Sequence, residues 1–259
     1  MEYLNFAVEM ARAAGDVLKH YANREKFVEL KGRANLVTAA DKESEALIIE
    51  AIRKRYPDHA ILAEESGALS GSKTAEGQWI IDPLDGTTNF AHQYPFYCVS
   101  IGFEQRGQLR CGAVYDPFRD EMFSGGSGAG AFLNGEKIRV SAAARLSDAL
   151  LMTGFPYNFR DHIDDILSKF RAFLFESQAV RRGGSAALDM CYVAMGRSDG
   201  FWEMNLQPWD TAAGQVILEE AGGRLSNFKG DPFSIYVKEI AASNGKIHDE
   251  MIRVLSQHR

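Results

Sequence analysis

Cysteine is scarce in this chain. Its 259 residues hold three, Cys98, Cys111 and Cys191, widely spaced and without a C-x-x-C pair. So sparse and odd a set argues against a disulfide framework or a thiolate metal cluster, and reads as reduced thiols packed inside a cytoplasmic protein. Basic charge is also short: 29 Lys and Arg stand against 35 Asp and Glu, a formal net charge of -6. That balance argues against nucleic-acid binding through a broad basic surface. An anionic substrate stays open, because a bound cation can invert the local sign. No stretch approaches the roughly 18 apolar residues of a membrane span. The opening Met1-Glu2-Tyr3-Leu4 lacks the basic start and long apolar run of a signal peptide. Short repeats and low-complexity tracts are missing as well.

What is present suits a globular α/β chain with a large core: 46% hydrophobic residues, 25% charged residues and 24 Gly. Leu4, Val8, Ala11, Gly15 and Leu18 step by four and three, the stripe of an amphipathic helix, with Gly15 marking a close approach. Phe27 to Leu30 reads as a short strand and Lys31 to Asn35 as a loop. Thr38 is placed to cap a second helix whose buried face carries Leu47, Ile48, Ala51, Ile52 and Tyr56. Asp41, three residues after Thr38, is either a capping-box acid or a functional one. His59 to Ala63 reads as a strand ending at Glu64-Glu65-Ser66, followed by a polar loop from Gly67 to Gly77.

A meander follows: strands Tyr97–Phe103, Leu109–Tyr115, Glu121–Ser124, Gly130–Leu133 and Lys137–Val140. Asn134-Gly135 marks a type I′ turn. The glycine run Gly125 to Gly130 looks like a phosphate loop, but it lacks the Lys-Ser/Thr ending and lies between strands, so a bulged hairpin is expected. The second half alternates: strand Leu150–Thr153, a helix over about 161–173, strand Gln178–Arg181, and a helix after Gly183-Gly184-Ser185. Gly196 then caps that helix, and strand Gly200–Glu203 follows. A helix begins near Pro208 and stops at Gly222-Gly223, before strands near 224–225 and 239–242 and a last helix to Gln257. The expected organisation is two α/β halves, 1–145 and 146–259, packed as one layered unit.

The densest chemistry lies in Trp79-Ile80-Ile81-Asp82-Pro83-Leu84-Asp85-Gly86-Thr87-Thr88-Asn89-Phe90. A buried strand ends at Asp82, and Pro83 is expected to stop it from continuing as a central strand. Asp85 follows three residues on, then a glycine and two hydroxyls. Two acids beside free backbone N–H groups suit a hard cation and a phosphate side by side. Glu64 and Asp210 complete a set of four acids at strand ends or helix starts, where α/β layers place ligands. Two carboxylates 4 Å apart repel by roughly 4 kcal/mol at an effective dielectric near 20. Divalent cations remove that cost, and an all-oxygen donor set favours Mg²⁺ or Ca²⁺ over zinc. Taken singly, each acid is also explained as a turn former or helix cap.

Trp79 to Phe90 resembles the first signature of the inositol monophosphatase family. Trp209-Asp210-Thr211-Ala212-Ala213-Gly214, with Glu219-Glu220-Ala221-Gly222-Gly223, resembles the second. Thr38-Ala39-Ala40-Asp41, Ala63-Glu64-Glu65-Ser66 and Gly184-Ser185-Ala186-Ala187 match in order and spacing, so the resemblance spans essentially the whole chain. It implies a sugar-phosphatase fold of alternating α/β/α/β/α layers, with one large antiparallel sheet and a smaller second one. It implies a cytoplasmic, lithium-sensitive homodimer that hydrolyses small phosphate monoesters with two or three Mg²⁺. Glu64, Asp82 and the carbonyl of Leu84 would hold one ion, and Asp82, Asp85 and Asp210 a second. Glu64 would also support a third. Gly86 and Thr87 would bind phosphate through their N–H groups, and Thr87 and Asp41 would polarise the attacking water. Gly184, Ser185, Ala186 and Glu203 would meet the alcohol part of the substrate, Asp210 would also bind substrate, and Lys31 would approach the phosphate or third ion. Inositol phosphate is the substrate the resemblance favours, attacked directly by water. Fructose 1,6-bisphosphate, histidinol phosphate and nucleotide 3′-phosphates are the alternatives, with Arg181 and Arg182 either binding a second phosphate or lying at a surface. A regulatory partner of the transcription machinery is the reading from a different class.

Overall fold

The structure is a computed structural model that describes residues 1–22, 28–31, 35–69, 71 and 76–257. The first helix, α1 (Glu2–Ala22), buries Leu4, Phe6, Ala7, Ala11, Ala14, Gly15 and Leu18. A short antiparallel pair follows, β1 (Val28–Lys31) and β2 (Asn35–Thr38), with Lys31 opposite Asn35. Lys31 and Asn35 are thus strand residues where a loop was expected. Phe27 and the side chain of Lys31 lie outside what is described. Next come α2 (Ala39–Arg55), β3 (Ala60–Ala63), β4 (Gly67–Leu69), β5 (Gly77–Asp85) and the short α3 (Thr87–Ala91). The meander is β6 (Cys98–Gln105), β7 (Gln108–Asp116), β8 (Glu121–Gly126), β9 (Gly130–Leu133) and β10 (Glu136–Lys137). The second half runs β11 (Leu150–Thr153), α4 (Ile163–Glu176), β12 (Ala179–Arg182), α5 (Ala186–Ala194), β13 (Gly200–Met204), α6 (Pro208–Glu220), β14 (Arg224–Ser226), β15 (Glu239–Ser243) and α7 (His248–Gln257).

Two sheets organise these elements. The larger has eight strands in the order β10-β9-β8-β7-β6-β5-β3-β4, antiparallel except where β3 runs parallel to β5. The smaller has five, β12-β11-β13-β15-β14, with β11 parallel to both β12 and β13. Alternation along the strands divides the large sheet between two apolar layers. Trp79, Ile81, Ile101, Phe103 and Tyr115 pack on one side with Phe6, Leu18 and Ile48 of α1 and α2. Val114 and Phe123 pack on the other with Leu188 of α5 and Ile217 of α6. Helix α6 comes so close that a β-carbon at Gly102 would stand 2.8 Å from that of Ala212. Phe173 of α4 and Met251 of α7 cover the far face of the small sheet with Trp202. The layers therefore run α/β/α/β/α, the sugar-phosphatase fold.

Several local expectations are revised. The stretch after Ser66 is not all loop: Gly67–Leu69 pairs antiparallel with β3 as the edge strand. The strand expected over Lys137–Val140 ends at Lys137. Beyond it the Val140 N–H donates to the Ala221 carbonyl at 3.2 Å, drawing the chain off the sheet to the end of α6. Helix α4 starts and ends later than expected, after a 3-10 turn over Phe159–His162. Leu47, Ala51 and Tyr56 are only half-buried, while Ile49, Asp41, Ser44 and Glu45 are buried on α2. Pro83 does not end β5. The strand runs on to Asp85 through a register shift between Asp82 and Asp85, a bulge where proline's missing N–H breaks no ladder bond. Asn134 and Gly135 both have positive φ, 50° and 87°, as a type I′ turn requires. The glycine run is a hairpin between β8 and β9. Its N–H groups at Gly128 and Gly130 hold the chain's own Glu220 carboxylate, at 2.7 and 2.8 Å.

Candidate active site

The carboxyl ends of the parallel strand pairs in both sheets open on one cavity of about 810 Å³. Glu64, Asp82, Leu84, Asp85, Gly86, Thr87, Gly184, Ser185, Ala186, Glu203 and Asp210 all line it. Asp41 stands back from the wall, behind Thr87, and Arg181 is also off it.

Each acid reaches the cavity for a local reason. Ala63 pairs with Ile81 across parallel β3 and β5, and the Glu64 N–H donates to the Ile81 carbonyl at 3.2 Å. Glu64 and Asp82 therefore emerge side by side. The bulge turns the chain so that Asp82 Oδ1 accepts the Leu84 N–H at 2.9 Å. Asp85, at the end of β5, meets the start of α5: its Oδ2 accepts the Ser185 hydroxyl at 2.7 Å and the Ala187 N–H at 2.8 Å. Ser185 is thus committed to Asp85 and to capping α5, where its Oγ also accepts the Leu188 N–H at 3.3 Å.

Asp41 and Asp210 occupy equivalent places. Each is the third residue of its helix and closes a capping box, with Thr38 in α2 and Gln207 in α6. Asp41 Oδ2 accepts the Thr38 N–H at 2.8 Å and the Thr38 hydroxyl at 2.5 Å, leaving Oδ1 3.3 Å from the Thr87 hydroxyl. Asp210 Oδ2 accepts the Gln207 N–H at 2.7 Å. Capping and a place at the site are two uses of one carboxylate. Thr87 Oγ1 also lies 3.0 Å from the Leu84 carbonyl, so α2, the bulge and α3 share a hydrogen-bond node. Gly86 precedes α3 at φ 94°, a left-handed conformation that a side chain would strain. A β-carbon there would stand 3.0 Å from the Phe96 carbonyl oxygen.

Burial dominates the electrostatics. It pushes the Glu203 carboxyl up to about 8, with Asp210 adding to the rise, and Asp41 up to about 6 against the hydrogen bonds from Thr38. Glu64, Asp82, Asp85 and Asp210 are all raised, by burial first. Neighbouring charge adds to several: Asp210 acts on Glu64, Glu64 on Asp82 and Asp85 on Asp210. The acids surround the cavity and do not meet at a point. Among the described residues no three Asp, Glu, His or Cys side chains are gathered as a ready-made ion cage. The donor chemistry nonetheless suits hard cations: oxygen donors only, mutual repulsion, and one oxygen of Asp82, Asp85 and Asp210 already held by the backbone.

Sequence reasoning missed several contributors. Ser44 and Glu45, buried on α2, bond the bulge and the turn after Glu64. The Ser44 hydroxyl donates to the Pro83 carbonyl at 3.1 Å, and Glu45 accepts the Glu65 N–H at 2.9 Å. The spacing of Asp41, Ser44 and Glu45 as i, i+3, i+4 was the available signal. The Asn89 amide donates to the Phe96 and Gly183 carbonyls, at 2.7 and 3.0 Å, tying α3 to the loop before α5. Phe155, Pro156, Tyr157 and Phe159 form an apolar wall facing the acids. Both arginines are exposed; Arg182 lines the cavity with its guanidinium 5.9 Å from the Phe155 ring centre, while Arg181 is off the wall.

A layered α/β sugar-phosphatase fold with acids at its strand ends defines the class. The model of the inositol monophosphatase family matches residues 1–259, and the chain belongs to that family. It is 47% identical over 255 residues to the inositol-1-monophosphatase of Synechocystis sp., covering 98% of this chain and 88% of that one. It is 42% identical over 260 residues to a protein of Pseudomonas aeruginosa named Nus factor SuhB, covering 98% and 96%. The solved inositol monophosphatase of Anabaena (Nostoc) sp. superposes with a TM-score of 0.91 at 48% identity, covering 100% of this chain and 96% of that one. Among the described residues no helix is long and apolar enough to cross a membrane.

Proposed function

We propose that this protein is a Mg²⁺-dependent phosphate monoester hydrolase acting on inositol monophosphate by direct attack of water. One observation carries the reading: Glu64, Asp82, Asp85 and Asp210 line a single cavity together with the Gly86-Thr87 turn. Glu64, Asp82, the Leu84 carbonyl, Asp85 and Asp210 would hold the ions. Bound there, Mg²⁺ supplies charge neutralisation for the phosphoryl group and for the departing alkoxide.

The chain's own groups do the rest. The N–H groups of Gly86 and Thr87 begin α3, where backbone donors lack intrahelical partners and are available to phosphate oxygens. The Thr87 hydroxyl, oriented by Asp41 Oδ1, holds the attacking water in line with the phosphorus. Asp41, tied by Thr38, polarises that water through the Thr87 hydroxyl: Thr87 accepts the water's hydrogen bond while its own proton points to Asp41 Oδ1. Glu203 and the backbone at Gly184 and Ala186 orient the alcohol, and the aromatic wall limits bulk water. A homodimer in the cytoplasm and inhibition by Li⁺ belong to the same reading. Sedimentation and a Li⁺ titration check them.

Fructose 1,6-bisphosphate is the competing substrate, because Arg182 adds a cation to the cavity wall. The deciding experiment is steady-state phosphate release with Mg²⁺ from inositol 1-phosphate and from fructose 1,6-bisphosphate. If wild type releases phosphate from no sugar or polyol phosphate, and Asp85→Asn behaves identically, the hydrolase reading is lost. A regulatory protein contact is then the remaining reading, supported by the similarity to relatives named Nus factor.

A further inference from the structure

Three buried polar residues, Asp41, Ser44 and Glu45, lie one turn apart on α2, with exposures of 0%, 0% and 3%. Each holds a different segment of the cavity wall. Asp41 reaches the Thr87 hydroxyl of α3, and Ser44 donates to the Pro83 carbonyl inside the β5 bulge at 3.1 Å. Glu45 takes three bonds from the turn that follows β3. Its Oε2 accepts the Glu65 N–H at 2.9 Å, and its Oε1 accepts the Ser66 N–H at 3.0 Å and the Ser66 hydroxyl at 2.5 Å. The residue just before that turn is Glu64.

We propose that Glu45 is a positioning residue: its carboxylate fixes the Glu65–Ser66 turn and so holds the Glu64 side chain beside Asp82 for cation binding. This rests on the proposed cation-dependent function. The physical argument starts from cost. A buried carboxylate is expensive unless its lone pairs are used. Glu45 uses both oxygens on backbone donors of one turn, an arrangement that fixes backbone direction more than it adds stability. Glu64, one residue past the end of β3, stands beside Asp82 of the parallel strand β5 and is repelled by it, so the turn tends to swing the carboxylate away from the cavity. Glu45 opposes that swing from a helix whose other two polar residues hold Thr87 and Pro83. Helix α2 is thus a strut that keeps Glu64, the Asp82–Asp85 bulge and Thr87 in register.

The substitution Glu45→Gln keeps the volume but gives up one acceptor. Whichever way the amide is turned, its NH₂ faces a backbone N–H of Glu65 or Ser66. Removing such a supporting contact behind an ion ligand costs about ten- to a hundredfold in ion affinity. The experiment measures Mg²⁺ and Mn²⁺ binding by calorimetry without substrate, and hydrogen exchange of the segment 64–69. The controls are Glu64→Gln and Asp199→Asn. Asp199 is another carboxylate held by a backbone N–H and a serine, from Leu150 at 2.7 Å and Ser141 at 2.5 Å. Asp199 is not part of the cavity wall and serves as the control for a purely structural loss.

The expected result is weaker cation binding by about tenfold or more and faster exchange in 64–69 for Glu45→Gln, with neither change in Asp199→Asn at matched loss of thermal stability. Glu45→Asp, too short to reach both donors, follows Glu45→Gln. If Glu45→Gln binds the ions as wild type does while Glu64→Gln loses them, the proposal is overturned and the hydrolase reading stands. If wild type binds no divalent ion, the cation-dependent reading fails and the role of Glu45 in cation binding falls with it.

Discussion

The Glu203 carboxylate lies flat against the α-carbon of Gly154. A β-carbon added at 154 would fall inside the contact radius of all three carboxylate atoms. The two residues are neighbours because Thr153 pairs with Trp202 across the parallel strands β11 and β13, with the Thr153 hydroxyl donating to the Trp202 carbonyl at 2.8 Å. Gly154 therefore makes room for Glu203 to face the cavity. The prediction is that Gly154→Ala displaces Glu203 and lowers kcat/KM for inositol phosphate by about tenfold or more, as misplacing a substrate-positioning group does. The check is a double-mutant cycle with Glu203→Ala. Once the carboxylate is gone the clash is gone, so Gly154→Ala should then cost little further activity. Additive losses would count against the steric account.

Asp82 is confined among its own kind, 1% exposed, with Glu64, Asp85 and Asp210 each raising its pKa after burial does. In Asp82→Asn the amide oxygen can keep the bond from the Leu84 N–H, and the NH₂ can face Glu64 as a donor. The cation-free protein should therefore gain about 1 kcal/mol or more, the order of a new hydrogen bond plus relief of repulsion. The gain should grow with pH, because a raised folded-state pKa means that charging Asp82 disfavours the fold. Phosphate release should vanish. Urea denaturation with and without Mg²⁺ tests both halves. Wild type should gain about 2.7 kcal/mol at a hundredfold excess over Kd, and the variant should gain almost nothing.

His248 gives a pH dependence far from the acids. It is fully buried at the start of α7, with Ser226 Oγ 2.9 Å from Nε2 and Ser243 Oγ 2.9 Å from Nδ1. Burial pushes its pKa down to about 4, and Arg224 adds to the fall. An unfolded histidine takes up its proton near pH 6.5. The stability this neutral ring allows is fully present above pH 6.5 and is lost as pH falls towards 4, a loss of about 3 kcal/mol. His248→Gln removes that proton uptake. The variant should be less stable than wild type at pH 7.5, where its serine contacts are disturbed, and the gap should narrow or reverse by pH 4.5. Urea midpoints at the two pH values measure it, and a constant gap would contradict the assignment.

The sequence was most legible where chemistry is written as a break in pattern. An apolar run ending at an acid marked Glu64 and Asp82, and the carboxyl ends of strands are where this fold opens its cavity. Of the two readings of Asp41, the cap is observed, on Oδ2, while Oδ1 is left to reach the Thr87 hydroxyl. The apolar pattern failed where a helix buries polar atoms. Helix α2 was read from its hydrophobic stripe, which says nothing of Ser44 and Glu45. Only the tertiary partners, Pro83 and the Glu65–Ser66 turn, explain their burial. Pro83 was read as a strand breaker because proline cannot join a ladder, and the bulge supplies the one central position where it need not. The glycine run is the hairpin that was expected, but the acceptor of its N–H groups, Glu220, lies 90 residues or more away in sequence.

Arg181 and Arg182 separate the two substrate readings, because strand alternation points adjacent side chains to opposite faces. Arg182 sits on the cavity wall by Phe155, and its charge acts on Glu203 and Asp189. Arg181, equally exposed, is not on that wall. A second phosphate can therefore be met by Arg182 and not by Arg181. If fructose 1,6-bisphosphate is used, Arg182→Gln should lower its kcat/KM by about tenfold to a hundredfold, the value of one charge-assisted hydrogen bond. The same change should affect inositol 1-phosphate, which carries no second phosphate, severalfold less, and Arg181→Gln should leave both substrates near wild type. Equal losses on both substrates in Arg182→Gln would mean that the guanidinium supports the cavity by balancing Glu203, with no part in choosing between them.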